Sequence, residues 1–215
     1  MSPDKLFKIF IRIPAFFRAF IQLFLPKLAP HVDFDHLEPI DKERFTLDGR
    51  KREGDVLIKT RLIGQDTAFL FHLESQDQPQ RELPARMLEY VALDHRDCGV
   101  PVYPIALITC HWPGVKELSP LVMDFPDKRV LMLDFEVVVL EDLLAWDYVR
   151  GGNPAGMAMS GGMWVEKERR VELALAFLES VAGEKLGAEE REVLTGYFLG
   201  SCAWSGGRGC KCGRS

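Results

Sequence analysis

The side chains of this 215-residue chain whose types and spacing suit chemistry are two acids and an amide, Asp55, Glu74 and Gln76, all within residues 53–80. That stretch reads EGDVLIKTRL, IGQD and TAFLFHLESQDQPQ. Its β-branched and aromatic runs suit a pleated surface, and Gly64 eases the turn between them, so it predicts a hairpin. Side chains of a strand alternate between faces. If Val56, Ile58, Phe69, Phe71 and Leu73 share an apolar face, Asp55, Glu74 and Gln76 share the other. Opposed residues of an antiparallel pair lie on one side, so a connection of even length near Gly64 to Asp66 brings Asp55 opposite Glu74 or Gln76. A three-residue turn without a bulge separates them. Neighbouring carboxylates repel, and a cation between them relieves the repulsion. Mg²⁺, or Mn²⁺ in its place, is a hard ion that takes carboxylate oxygen and keeps several waters. The competing reading is two solvated strand-end charges. His72 shares the face of Glu74, where it either orients a water or is satisfied within the sheet.

Charge around these residues is uneven. The net charge of −5 argues against a general nucleic-acid binder, yet residues 42–61 hold seven basic residues against four acids. Residues 1–30 hold Lys5, Lys8, Arg12, Arg18 and Lys27 against Asp4. A basic strip beside an acidic metal site is what phosphate-ester cleavage needs, because the strip neutralises the backbone while the metal supplies the chemistry. A solvated charged face is the plain alternative. Other chemistries lack their residues. There is no Gly-Lys-Ser/Thr loop and no G-x-S-x-G elbow, and Cys110 and His111 point to opposite faces if their strand continues. Five scattered cysteines, Cys98, Cys110, Cys202, Cys210 and Cys212, give no disulfide framework and point to a reduced, cytoplasmic setting. Cys210 and Cys212 lack the second pair that a structural zinc needs.

Five pieces of sequence surround or contain the acids: LEPIDKE ending at Glu43, GRKREGD ending at Asp55, HLESQDQP with Glu74 and Gln76, and then LPARMLEY and PVYPIAL. In combination they resemble the PD-(D/E)XK nuclease superfamily, specifically its Rpn-like branch of recombination-promoting nucleases and transposase-like (YhgA-like) proteins. The resemblance covers residues 4–109. It implies an α/β fold with a three-layer α/β/α, restriction-endonuclease-like core and mixed sheet, and a metal-dependent DNA endonuclease. Catalytic roles then fall to Asp55, Glu74, Gln76 and Glu43, with Asp55 and Glu74 as metal ligands. Arg50, Lys51, Arg52 and Arg86 become the phosphate contacts. The superfamily's usual lysine is Gln76 here, which matches the Rpn-like branch; an amide orients a water but brings no positive charge. The rival expectation is an inactive mobile-element remnant that keeps the fold as a DNA- or protein-binding scaffold. A second copy of the chain is a further candidate partner.

The positioning elements follow from periodicity. Residues 6–28 are very apolar, but Lys8, Arg12, Arg18, Pro14 and Pro26 interrupt every window long enough to span a bilayer, so a helix pair is expected. The second helix carries Phe17, Phe20, Ile21, Phe24 and Leu25 at helical spacing and is expected to pack on the sheet; a membrane-surface role is the weaker alternative. Residues 31–41 read as a polar linker. Residues 42–47 and an Asp48-Gly49 turn suggest a first hairpin with the Asp55 strand. Residues 82–96 predict an amphipathic helix that carries Arg86, a phosphate contact or merely a solvated arginine. Residues 102–110 predict a buried strand, with Pro104 marking an irregular start or a sheet edge. Residues 129–140 form a strand pair or one long strand, with Asp134 and Glu136 on one face. Residues 151–162 read as a flexible glycine-rich hinge. Residues 164–181 form a helix with Val171, Leu175 and Leu178 as its apolar stripe, residues 188–199 complete a helical hairpin, and residues 201–215 are expected to be disordered. The expected division is a nuclease-like domain over 1–145, a helical appendage over 146–200, and a tail.

Overall fold

The computed structural model describes residues 3–40 and 55–207, of which residues 3, 4, 55 and 203–207 are given by backbone alone. In chain order the elements are α1 (Pro3–Ile11), α2 (Pro14–Phe24), β1 (Glu38–Pro39), β2 (Asp55–Arg61), β3 (Ala68–Gln76), α3 (Leu83–Cys98), β4 (Val102–Ile108), β5 (Leu121–Asp124), β6 (Arg129–Leu133), β7 (Glu136–Val139), α4 (Trp146–Val149), α5 (Pro154–Met159), α6 (Arg170–Gly183) and α7 (Ala188–Gly207). The class is α/β, with a mixed five-stranded sheet in the order β1-β2-β3-β4-β7 and a separate β5-β6 pair. Contacts divide the chain into two units, residues 30–108 with 112–138, and residues 1–29 with 109–111 and 139–215. That grouping is not the sequential division expected, because α1 and α2 fall with the C-terminal helices.

The unit of residues 30–108 and 112–138 is built on the expected hairpin. Strands β2 and β3 pair antiparallel from Asp55↔Glu74 to Arg61↔Ala68, leaving six residues, an even number, in the connection. Gly64 takes φ 75° there, a left-handed value at which a side chain would be strained. After β3 the chain crosses over through α3 and returns as β4, parallel to β3. Pro84 opens α3 in its first turn, where a missing N–H costs nothing, and Gly99 closes it at φ 68° with its N–H on the His95 carbonyl at 2.8 Å. Pro104 does not mark a sheet edge: β4 lies between β3 and β7, and Pro104 is buried opposite His72. The neighbour of β2 is β1, from the stretch expected to be a linker. The alternative hairpin partner, residues 42–47 with the Asp48-Gly49 turn, lies outside the described residues. Residues 129–140 break into β6 and β7 in different sheets. Asp134 accepts from the Ser119 hydroxyl at 3.2 Å, and Glu136 accepts from the Tyr103 hydroxyl at 3.4 Å, so the two acids serve separate contacts.

Where the chain enters β1, Asp33 accepts from Arg61 Nε at 2.8 Å, and its carboxylate also meets His36 at 2.8 Å. The Arg61 guanidinium, then His36, lowers the Asp33 carboxyl from 3.8 to about 2. Because the folded value lies below the unfolded one, this contact stabilises the fold above about pH 4 and the contribution is lost as pH falls through about 2. Carboxyl-carbon NMR is expected to give Asp33 a midpoint near 2 that moves up in Arg61→Gln. A midpoint indifferent to Arg61 would contradict the pairing.

In the other unit α1 packs on α7 and α2 on α5, so the apolar face of α2 that was expected to seek the sheet is taken up by a helix. Phe10 stacks between Phe16, at 4.8 Å, and Tyr197, at 5.0 Å. Most of the expected hinge is buried helix: Gly151 and Gly152 are exposed, but Pro154–Met159 is helix, continued by the turn Ser160–Gly162, and all of residues 155–163 are buried. Its glycines serve close packing, since a Cβ on Gly161 would stand 2.5 Å from the Phe198 carbonyl oxygen. The stripe expected to be the core face of α6 is reversed. Leu173, Ala176, Phe177 and Val181 are buried, whereas Val171 is 73% exposed and Leu175 and Leu178 are also exposed. Phe177 decides this by stacking on Phe198 with ring centroids 3.8 Å apart, the largest apolar area the helix can offer. Helix α7 continues to Gly207, so the tail begins later than expected, and residues 208–215, with Cys210 and Cys212, lie outside the described residues. Among the described residues no helix is long and apolar enough to cross a membrane.

Candidate functional site

The β2-β3 hairpin sets position 55 directly opposite position 74 at its open end, the register on which shared action by the two acids depends. Asp55 is described by its backbone alone. Val56↔Leu73 and Ile58↔Phe71 form the apolar face, and Leu57↔His72 and Asp55↔Glu74 belong to the other. Along β3, that second face is not solvated at His72, Glu74 and Gln76. Glu74 is 1% exposed and Gln76 4%, which removes the solvated strand-end reading for Glu74. A carboxylate taken out of water needs charge-bearing or hydrogen-bonding partners, and Glu74 has them. The Gln76 side-chain amide donates to Glu74 Oε1 at 2.7 Å, and the Arg86 guanidinium forms an ion pair with the same oxygen.

Two periodicities make this meeting. Along β3 the residues His72, Glu74 and Gln76 recur every second position, about 6.7 Å apart. Along α3 Arg86, Tyr90 and Asp94 recur every fourth, about 6 Å apart on one helical stripe. Because β4 returns parallel to β3, α3 runs back against β3. The start of the helix therefore serves the end of the strand, and its later turns serve earlier strand positions. Arg86 accordingly reaches Glu74, while Asp94 Oδ2 lies 2.7 Å from His72 Nδ1, both side chains being 0% exposed. Tyr90 sits between, its ring 5.2 Å from the His72 ring, and its hydroxyl accepts from Arg86 Nη2 at 3.1 Å and Nε at 3.3 Å. Arg86 Nη1 also donates to the Gln80 side-chain oxygen.

Of the residues expected to act, Glu74 and Gln76 are thus in direct contact, and Asp55 stands opposite Glu74 in the backbone register. Glu43, Arg50, Lys51 and Arg52 lie outside the described residues. Arg86, read from sequence as a phosphate contact, has an internal partner in Glu74 instead of a projecting guanidinium, and its side chain is 26% exposed. His72 Nδ1 is paired within the fold with Asp94. Tyr90 and Asp94 were read from the sequence only as positions of the amphipathic helix, with no role in the site. The signal was present in their four-residue spacing from Arg86, opposite a strand with polar residues at every second position.

Among the described residues no group of three or more His, Cys, Asp or Glu is placed to hold a metal ion. The donor chemistry at the open end of the hairpin nevertheless fits Mg²⁺ or Mn²⁺: a carboxylate at 74, an aspartate at the directly opposed position, and an amide oxygen on Gln76 are all hard oxygen donors. No protein-family model, curated protein or solved structure matches the chain.

Proposed function

We propose that the chain is a metal-dependent DNA endonuclease of the Rpn-like kind, acting at the open end of the β2-β3 hairpin. The observation that carries this reading is the register that sets Asp55 opposite a buried Glu74, with Gln76 bound to the same carboxylate. A buried acid on a polar strand face is costly to keep, and directly opposed positions are where two carboxylates can share one cation. The amphipathic helix that directly follows the hairpin, and the parallel strand after it, also accord with a nuclease core of this kind. Asp55 and Glu74 would hold the ion, with Glu43 as a further acid. A bound Mg²⁺ would polarise the scissile phosphate and acidify a bound water. Gln76, its amide nitrogen committed to Glu74, orients the attacking water through its oxygen, and Arg50, Lys51 and Arg52 neutralise the DNA backbone.

Calorimetric titration with Mg²⁺ or Mn²⁺ tests the premise. Wild-type protein is expected to bind the ion, and Asp55→Ala to lose that binding while keeping its circular dichroism spectrum. Equal titrations for the two proteins would reject the site. One observation favours a second reading, the inactive scaffold: Arg86 already supplies positive charge to Glu74, so that carboxylate does not need a metal to be buried. A scaffold shows no metal binding that depends on Asp55, and the same titration separates the two.

A further inference from the structure

The position of Arg86 bears on how such a site would be controlled. A guanidinium offers five N–H donors in a rigid fork, and here the fork is held from three sides: by Glu74, by the Gln80 side-chain oxygen and by the Tyr90 hydroxyl. Tyr90 is in turn held by its ring contact with His72, itself fixed by the fully buried Asp94. Both Arg86 and Tyr90 belong to one helix, so the guanidinium is delivered to Glu74 by a rigid element and not by a loop. The bracing holds a fixed positive charge on the very oxygen that Gln76 also binds.

We infer that Arg86 is a resident counter-charge on Glu74 that competes with the divalent ion for this carboxylate, with Tyr90 as the positioning residue that sets how firmly it competes. This rests on the metal-binding reading given above. Arg86 then lowers the affinity of the site for metal while stabilising the metal-free fold, so that the two quantities move in opposite directions when it is removed. A purely structural arginine moves them together, since a loosened site binds its ligand less well. Direct competition between like charges for one carboxylate follows from electrostatics alone, because two cations on one oxygen repel in a site shielded from water.

The test is titration of Mn²⁺ into full-length wild type, Arg86→Met, Tyr90→Phe and Asp55→Ala, each paired with a melting curve without and with Mn²⁺. Arg86→Met is expected to melt lower without metal and to bind Mn²⁺ about tenfold more tightly, the effect of one charge-assisted hydrogen bond. Tyr90→Phe keeps the ring on His72 and withdraws only the hydroxyl. It is expected to fold normally and to tighten Mn²⁺ binding by about threefold, roughly half that free energy, which keeps the test decisive should Arg86→Met fail to fold. Wild-type binding that disappears in Asp55→Ala, together with unchanged or weaker binding in Tyr90→Phe and in any folded Arg86→Met, overturns the competition and leaves the metal site standing. If none of the proteins shows Mn²⁺ binding that depends on Asp55, the nuclease reading falls and the competition falls with it.

Discussion

Asp55→Ala and Glu74→Gln are each expected to reduce Mg²⁺-dependent nicking of supercoiled plasmid by about a thousandfold, the loss that follows when roughly 4 kcal/mol of transition-state stabilisation is withdrawn. The magnitude comes from what a bound divalent ion does for phosphate-ester cleavage: it offsets charge on the phosphate and acidifies the water, both worth several kcal/mol. Either acid alone gives half of an opposed pair, and a hard ion that dehydrates reluctantly is poorly kept by one carboxylate. Glutamine is the better substitution at 74 because it leaves Arg86 and Gln76 a side chain of the same shape, whereas alanine would leave a guanidinium facing a vacated buried position. The assay is run with and without metal, at protein concentrations where each variant retains its circular dichroism. Wild-type nicking that persists in EDTA, or equal rates for wild type and both variants, would refute the proposed chemistry.

Asp94→Ala is expected to destabilise the protein by about 2–4 kcal/mol, the usual consequence of leaving a buried hydrogen-bonding group without its partner beside a new cavity. Both side chains are 0% exposed, so no solvent screening softens the loss. Removal withdraws from His72 the carboxylate that its Nδ1 meets at 2.7 Å, and it leaves a buried vacancy beside that nitrogen. Asp94→Asn retains an acceptor oxygen of nearly the same shape and is expected to cost about 1–2 kcal/mol, close to the net worth of one hydrogen bond. Urea unfolding of the two variants separates these cases, and the alanine variant should melt on the order of 10 °C lower. A cost under about 1 kcal/mol for Asp94→Ala would mean that the pair does not anchor α3 to β3.

The site was legible in sequence to the extent that it depends on local alternation. Strand residues have a period of two, so the partition of Val56, Ile58, Phe71 and Leu73 from Glu74 and Gln76 follows from spacing once a hairpin is granted, and the six-residue connection made Asp55↔Glu74 the register. Arg86 was visible as a basic residue near a helix start, but whether it projects to solvent or turns inward is decided by the strand beneath it. The pairing of His72 with Asp94 spans 22 residues of sequence, and neither side chain alone signals the other.

By itself, then, the sequence determined the hairpin, its two faces and a helix after them, because each depends on neighbours a few positions apart and on the fixed periods of strand and helix; of the two partners it left open for Asp55, the structure chose Glu74 over Gln76. Only the tertiary structure decided that Glu74 is buried against Arg86, that α1 and α2 pack on helices of the C-terminal part, and that α6 buries Leu173 and Phe177 in place of Val171, Leu175 and Leu178. Two apolar stripes on one helix are equivalent until another surface arrives. Phe198, 21 residues further along, chooses between them by stacking on Phe177.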